Sequence, residues 1–450
     1  MNERVSATTI AAYSAPLVPI WMLHTPALSI LPGLYATVAG IDLAVLGIIL
    51  VASRVLDGVT DPLIGLLSDK TDSRLGKRKP WIIFGGLLCM VGVVFWFRPG
   101  PDTGALYFLL ASIAVYLGWT MVEIPHGAWL SELTTDYSER SRISGFRTTA
   151  IYLGYVLFWS GPFLPIFATT EITPEVTRFL SWLVVALIFV SVTWAVVRVP
   201  QGHVGVARTP DLRTAFRGLV ANRPMRYFSV LMLASAIASG MVAGLYFFFI
   251  ATYLGIPERF SHIGLAVATI GVASAALWGV VGAKIGKHRM LAICNLSTVA
   301  TLVAMGFIRP GDGAYPAMFT VFSLSALFSA GSTVAYYALM ADVVDYDTLK
   351  TRSNNAGNYY SLITLFQKIG LGAGAGLALM LASAFGFDPD ARNEGMALTG
   401  FFVAFLGVPI LLNLAATVLA FFFPITERRH RIVRRRLEAR ERRSAGIRNV

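Results

Sequence analysis

Charge is what this chain has least of: only 14% of its 450 residues are Asp, Glu, Lys or Arg, against roughly a quarter in ordinary soluble domains. So small a share cannot cover a water-facing surface of this size. Cysteine is almost missing as well, with only Cys89 and Cys294, each inside an apolar run. That placement reads as two small buried hydrophobes and excludes a disulfide framework or a thiolate metal site. The six histidines are scattered, and no phosphate-binding glycine loop or nucleophile triad is present. ATP-driven pumping and intramembrane catalysis are therefore excluded, and neither an enzyme activity nor a cofactor is expected. Also absent is a polar stripe along stretches such as 43–55 and 401–423, which a soluble helical bundle would need.

What is present is apolar sequence, 56% of the chain. A hydrocarbon core about 30 Å thick takes roughly 20 apolar residues per helix. Runs bounded by charges, Pro or Gly predict twelve spans near 11–39, 42–68, 80–98, 105–133, 147–167, 177–199, 227–254, 262–283, 289–308, 315–341, 357–386 and 396–423. The first run is longer than a signal-peptide core and lacks a small-residue cleavage site, so it reads as an uncleaved span. The fold class is an all-α polytopic membrane protein.

The formal charge of +12 does not point to nucleic acid, because the basic residues fall in alternate loops. Lys70, Arg74, Lys77, Arg78 and Lys79 come first, then Arg140 and Arg142, then Arg208, Arg213, Arg217, Arg223 and Arg226, then Lys284, Lys287 and Arg289, then Lys350 and Arg352. The positive-inside rule assigns these loops and both termini to the cytoplasm. The basic stretch 200–226 divides the spans six and six, giving bundles over 1–199 and 227–423 joined by a cytoplasmic linker. A short repeat agrees with duplication: Gly76-Lys77-Arg78-Lys79 after the second span resembles Gly286-Lys287-His288-Arg289 after the eighth. The tail 424–450 carries Arg434, Arg435, Arg436, Arg440, Arg442 and Arg443, and anionic lipid head groups are its expected contact.

An ionised group at membrane depth is costly unless paired or hydrated, so each one marks function by default. Arg54, Asp57 and Asp61 are spaced three and four apart, on one face of the second span. Two carboxylates so close repel, and binding a monovalent cation or a proton relieves the repulsion. Thr60 and Thr120 can add neutral oxygens. The plainer reading is that Arg54 neutralises Asp57 and that Asp61, next to Pro62, caps a helix end. Glu123 lies midway through the fourth span, where it can accept hydrogen bonds from a polyhydroxylated solute. Trp129 can stack on a sugar face or serve as an interfacial anchor. Lys368 in the eleventh span needs an anionic partner, and the acidic cluster of the first half is the expected one. Cation binding that competes with this pair couples the two halves.

These residues resemble the glycoside-pentoside-hexuronide cation symporters of the major facilitator superfamily. The resemblance is carried by Asp57-Gly-Val-Thr-Asp61-Pro62, Arg74-Leu-Gly-Lys-Arg-Lys-Pro80-Trp81, Glu123-Ile-Pro125, Asp136-Tyr-Ser-Glu-Arg140, Arg147, and Ala341-Asp342-Val-Val-Asp345-Tyr346 leading to Lys368. It implies a major facilitator fold of two six-helix bundles around a central cavity, in a bacterial inner membrane. It also implies Asp57, Thr60, Asp61 and Thr120 as cation ligands, Na+ being the metal if it is not H+. Glu123, Trp129, Arg147, Lys368 and Trp21 would touch the small-molecule substrate, and Arg54, Asp342 and Asp345 would gate the path. The first span, with Trp21, His24 and Thr25, departs by having no acidic residue, and 351–355 is less charged than usual. Symport of a sugar or glycoside by alternating access is the function implied. Two other functions stand beside it, transport of a lysolipid or other amphipathic or anionic solute and a solute sensor that does not transport.

Overall fold

The computed structural model describes residues 4–134, 136–201, 218–351, 356–425 and 427–447. The expectations on Arg208, Arg213, Arg217 and 352–355, and on the side chains of Arg442 and Arg443, lie outside them. Twelve long helices follow in order: α1 Ala7–Ala39, α2 Leu43–Lys70, α3 Lys79–Trp96, α4 Ala105–Leu133, α5 Tyr137–Ser160, α6 Pro174–Arg198, α7 Arg223–Tyr253, α8 Phe260–Ile285, α9 Lys287–Met305, α10 Ala314–Thr351, α11 Ala356–Ala384 and α12 Gly395–Phe421. A thirteenth, α13 Glu427–Ile447, holds most of the basic tail. No strand occurs among the described residues.

Local chemistry sets the helix starts. Asp42 caps α2 by accepting from the Ala44 and Val45 amides, Asp136 caps α5 through Glu139, Thr173 caps α6 and Asn222 caps α7. Pro80, Pro174 and Pro224 sit in first turns, where their missing N–H costs nothing. Helix α1 carries Pro16, Pro19, Pro26 and Pro32 and is broken accordingly, with a π turn at Pro26–Ile30.

Among the described residues, eleven helices are long and apolar enough to cross a membrane. The remaining expected span lies on α5, which starts at Tyr137 rather than near 147 and whose first half carries Glu139, Arg140, Arg142 and Arg147. Helix α10 runs to Thr351, past its expected end near 341, because Asp342, Asp345 and Asp347 find partners that let the helix continue beyond its apolar stretch.

Helices α1–α6 and α7–α12 form two bundles that meet along α2 and α11, α5 and α8, and α1 and α7. Small residues allow the closest approaches: a side chain on Gly47 would strike the Gly376 carbonyl, and one on Gly376 would strike that of Gly47. One continuous apolar core runs through the first bundle and the half of the second bundle that lies away from the termini. The half of the second bundle nearer the termini has a core of its own, built around Phe228, Leu339 and Leu362. The bundles are thus cemented at the end opposite the termini. Hydrogen bonds there join Thr170 Oγ1 to the Glu258 carbonyl and Ser261 Oγ to the Thr170 carbonyl, both at 2.8 Å.

The sequence repeat has a structural counterpart. Gly76 and Gly286 hold φ of 85° and 86°, the left-handed side that favours glycine. After Gly76, Arg78 bridges Asp69 at 2.5 Å and Glu132 of α4 at 2.7 Å. After Gly286, Lys287 binds Asp342 of α10 at 2.6 Å. Each bundle thus ties the turn after its second helix to its own fourth helix, although the basic residue stands one position earlier in the second half.

Candidate functional site

Two interior prolines mark the depth of the site. Pro62 in α2 follows Asp61 directly, and Pro125 in α4 comes two residues after Glu123. A proline removes the helical bond to the carbonyl four residues before it, here Gly58 and Met121, and loosens each helix where its carboxylates lie.

Between the bundles lies a cavity of about 360 Å³, lined by α1, α2, α4, α5, α10 and α11. Its charged floor joins both halves. Lys368 Nζ lies 3.1 Å from Asp61 Oδ2 and 3.0 Å from Glu123 Oε2, so one ammonium of α11 bridges carboxylates of α2 and α4. Thr120 Oγ1 donates to Asp61 Oδ1 at 3.0 Å. Asp57, 4% exposed, is held at 2.8 Å by Arg54, whose guanidinium lies 4.0 Å from the centre of the Tyr116 ring. Thr60 Oγ1 is buried and has no hydrogen-bond partner. The expected partner of Lys368 is therefore the one the fold supplies. The two α2 carboxylates do not share a single counter-charge: Arg54 takes Asp57 and Lys368 takes Asp61.

Trp21 of α1 lines the cavity with His24, and Trp119, Tyr155 and Tyr337 complete an aromatic wall. Sequence reasoning passed over Trp119, Tyr155 and Gln367. The spacing of four that puts Trp119 on the Glu123 face and the adjacency of Gln367 to Lys368 were the signals available.

Two expected placements need correction. Trp129 does not line the cavity: it is 1% exposed, donates from Nε1 to the Pro200 carbonyl at 3.3 Å and meets Tyr13 edge-on. Six residues beyond Glu123, it has turned off that helix face and descended toward the terminal end. Arg147 is not among the lining residues either, because its Nη1 reaches the Tyr13 hydroxyl at 3.4 Å and its guanidinium lies over that ring. Arg54, expected to gate the path, lines the cavity, packed over Gly372 of α11.

Asp342 and Asp345 lie near the terminal end, against the basic tail. His430 Nε2 of α13 lies 3.2 Å from Asp342 Oδ1 and 3.1 Å from Asp345 Oδ2, and Arg434 approaches Asp345 at 3.7 Å. With Val433 buried, this turn of the tail docks on α10 rather than facing outward alone. Among the described residues no cluster of three His, Cys, Asp or Glu side chains could hold a metal ion.

The chain is 25% identical to the glucuronide carrier protein homolog of Escherichia coli, over 95% of both chains. It is 25% identical to the isoprimeverose transporter of Lactiplantibacillus pentosus, over 86% of this chain and 82% of that one. In fold it is similar to a bacterial homolog of the human lysosomal transporter Spinster, solved inward-facing and unoccupied, with a TM-score of 0.67 over 92% of this chain and 95% of that one at 14% identity. The model of the MFS/sugar transport protein family matches residues 12–427, and the chain, a multi-pass membrane protein of the major facilitator fold, belongs to that family.

Proposed function

We propose that this protein is a secondary active symporter that moves a sugar or glycoside-like solute with Na+ or H+ by alternating access, with both termini in the cytoplasm of a bacterial cell. The observation that carries the reading is the position of Lys368, shared between Asp61 on the cation side and Glu123 on the solute side. A cation or proton arriving at Asp61, with Asp57, Thr60 and Thr120 around it, weakens the hold of that carboxylate on Lys368. The ammonium then turns wholly to Glu123, or to a solute hydroxyl placed between them. Binding of one ligand thereby changes the free energy of binding the other, which is what coupling requires.

Among the described residues, the bundles share a core only at the end opposite the termini. This suits a state open toward the terminal side, and rocking about the α2–α11 and α5–α8 seams would close it. Relatives named for glucuronide and isoprimeverose favour a glycosidic cargo over an amphipathic one. Reconstituted protein should take up one member of a panel of labelled glycosides, pentosides and uronates only when a Na+ or proton gradient is imposed. Downhill solute exchange that ignores both gradients would reduce the protein to a facilitator, and solute binding without uptake would make it a sensor.

A further inference from the structure

The proposed coupling uses only one side of the cavity. Arg54, Asp57, Thr120, Glu123, Gln367 and Lys368 place the polar groups on α2, α4 and α11. The adjoining wall is built of rings. Trp21 stacks on His24 with centroids 5.3 Å apart, and Trp119 and Tyr155 meet both of them edge-on between 5.6 and 6.3 Å. All four are partly exposed and line the cavity, with Ala27 and Leu28 beside them.

The indole nitrogen of Trp21 is not offered to this space, because Nε1 is buried without a partner. What that indole presents is carbon. A hydroxyl pressed against such a wall loses its bonds to water without replacement, so the hydroxyl-rich part of a solute belongs at Glu123, Gln367 and Lys368. A flat apolar group fits the wall, since rings gain from offset and edge-on contacts in addition to the area they bury.

We propose that Trp21, His24, Trp119 and Tyr155 form an aglycone subsite, and that the preferred cargo is a glycoside carrying an aromatic or similarly flat apolar group rather than a free sugar. The inference rests on the symport reading above and adds the class of substrate. At about 360 Å³ the cavity lies in the size range of sites that enclose a whole small ligand, glycosyl head and aglycone together.

The test compares matched methyl and 4-nitrophenyl glycosides of glucose, galactose, xylose and glucuronic acid, as binding to purified full-length protein and as gradient-driven uptake. For whichever sugar is accepted, the nitrophenyl glycoside should bind roughly tenfold or more tightly than the methyl glycoside. In Trp21→Leu and in Tyr155→Leu that ratio should collapse toward one. Equal binding of the two glycosides, or an equal loss for both in the variants, would show that the rings hold the sugar itself, overturning the subsite and leaving symport intact. If no glycoside of either kind binds, the proposed cargo and the subsite fail together.

Discussion

Lys368 Nζ stands almost midway between Asp61 Oδ2 at 3.1 Å and Glu123 Oε2 at 3.0 Å, one ammonium of the second bundle serving two carboxylates of the first. Removing it leaves two partly buried carboxylates without their counter-charge, and breaking a buried pair costs about 3–5 kcal/mol where both groups are fully desolvated. Both groups here keep some exposure, so Lys368→Ala should lower thermal stability by less than that. It should also abolish gradient-driven uptake. Differential scanning fluorimetry and vesicle uptake read the two effects separately, and a variant that still accumulates solute would remove Lys368 from the coupling path.

The two aspartates of α2 should behave differently because their partners differ. Asp57→Asn strands the Arg54 guanidinium in a buried setting, whereas Asp61→Asn leaves Lys368 with Glu123. The expected outcome is a larger fall in melting temperature for Asp57→Asn, and normally folded but uncoupled protein for Asp61→Asn. Melting curves combined with counterflow and gradient-driven uptake make the comparison. Equal stability with equal loss of transport would mean that the pairs are not independent.

The docked turn of α13 gives a third prediction. His430 touches both Asp342 and Asp345, and Lys287 competes for Asp342 at 2.6 Å. His430→Ala should release the tail helix from α10 while Lys287 keeps Asp342 paired. Hydrogen exchange over residues 427–440 should then rise with little change in the bundles. Unchanged protection would show that Arg434 and Val433 hold the helix without His430.

Much of this arrangement was legible in the chain because membrane depth makes charge informative. Asp57, Asp61, Glu123 and Lys368 stood out as costly residues in apolar runs, and the structure joins them: Asp57, Glu123 and Lys368 line one cavity, and Asp61 pairs with Lys368. The aromatic wall was only half legible. Trp119 and Tyr155 sit in apolar sequence where a ring is the ordinary residue, and only the packing of α1, α4 and α5 turns them to a common space. Trp129 and Arg147 misled for the converse reason, since their residue types suit a sugar site but their helix faces belong to the contact with Tyr13. The start of α5 was missed because Asp136 supplies a helix cap that a search for apolar runs does not register.

Close packing of α2 on α11 supplies the last prediction. A side chain on Gly372 would occupy the space of the Arg54 Cγ and Cδ atoms, whereas one on Gly58 would meet nothing nearer than Ile369 at 3.7 Å. Gly372→Ala must therefore push Arg54 away from the Tyr116 ring and disturb its 2.8 Å pair with Asp57, while Gly58→Ala needs no such movement. Both glycines lie in helices, so each alanine gains roughly 0.5–1 kcal/mol of helix propensity. For Gly372 that gain is opposed by overpacking, typically about 1–3 kcal/mol. Gly372→Ala should thus shift the cation concentration that half-saturates uptake and lower the melting temperature, and Gly58→Ala should leave both near their original values. The reverse order would mean that Arg54 has room to move without consequence, and the Arg54–Asp57 pair would then lose its place in the cation site.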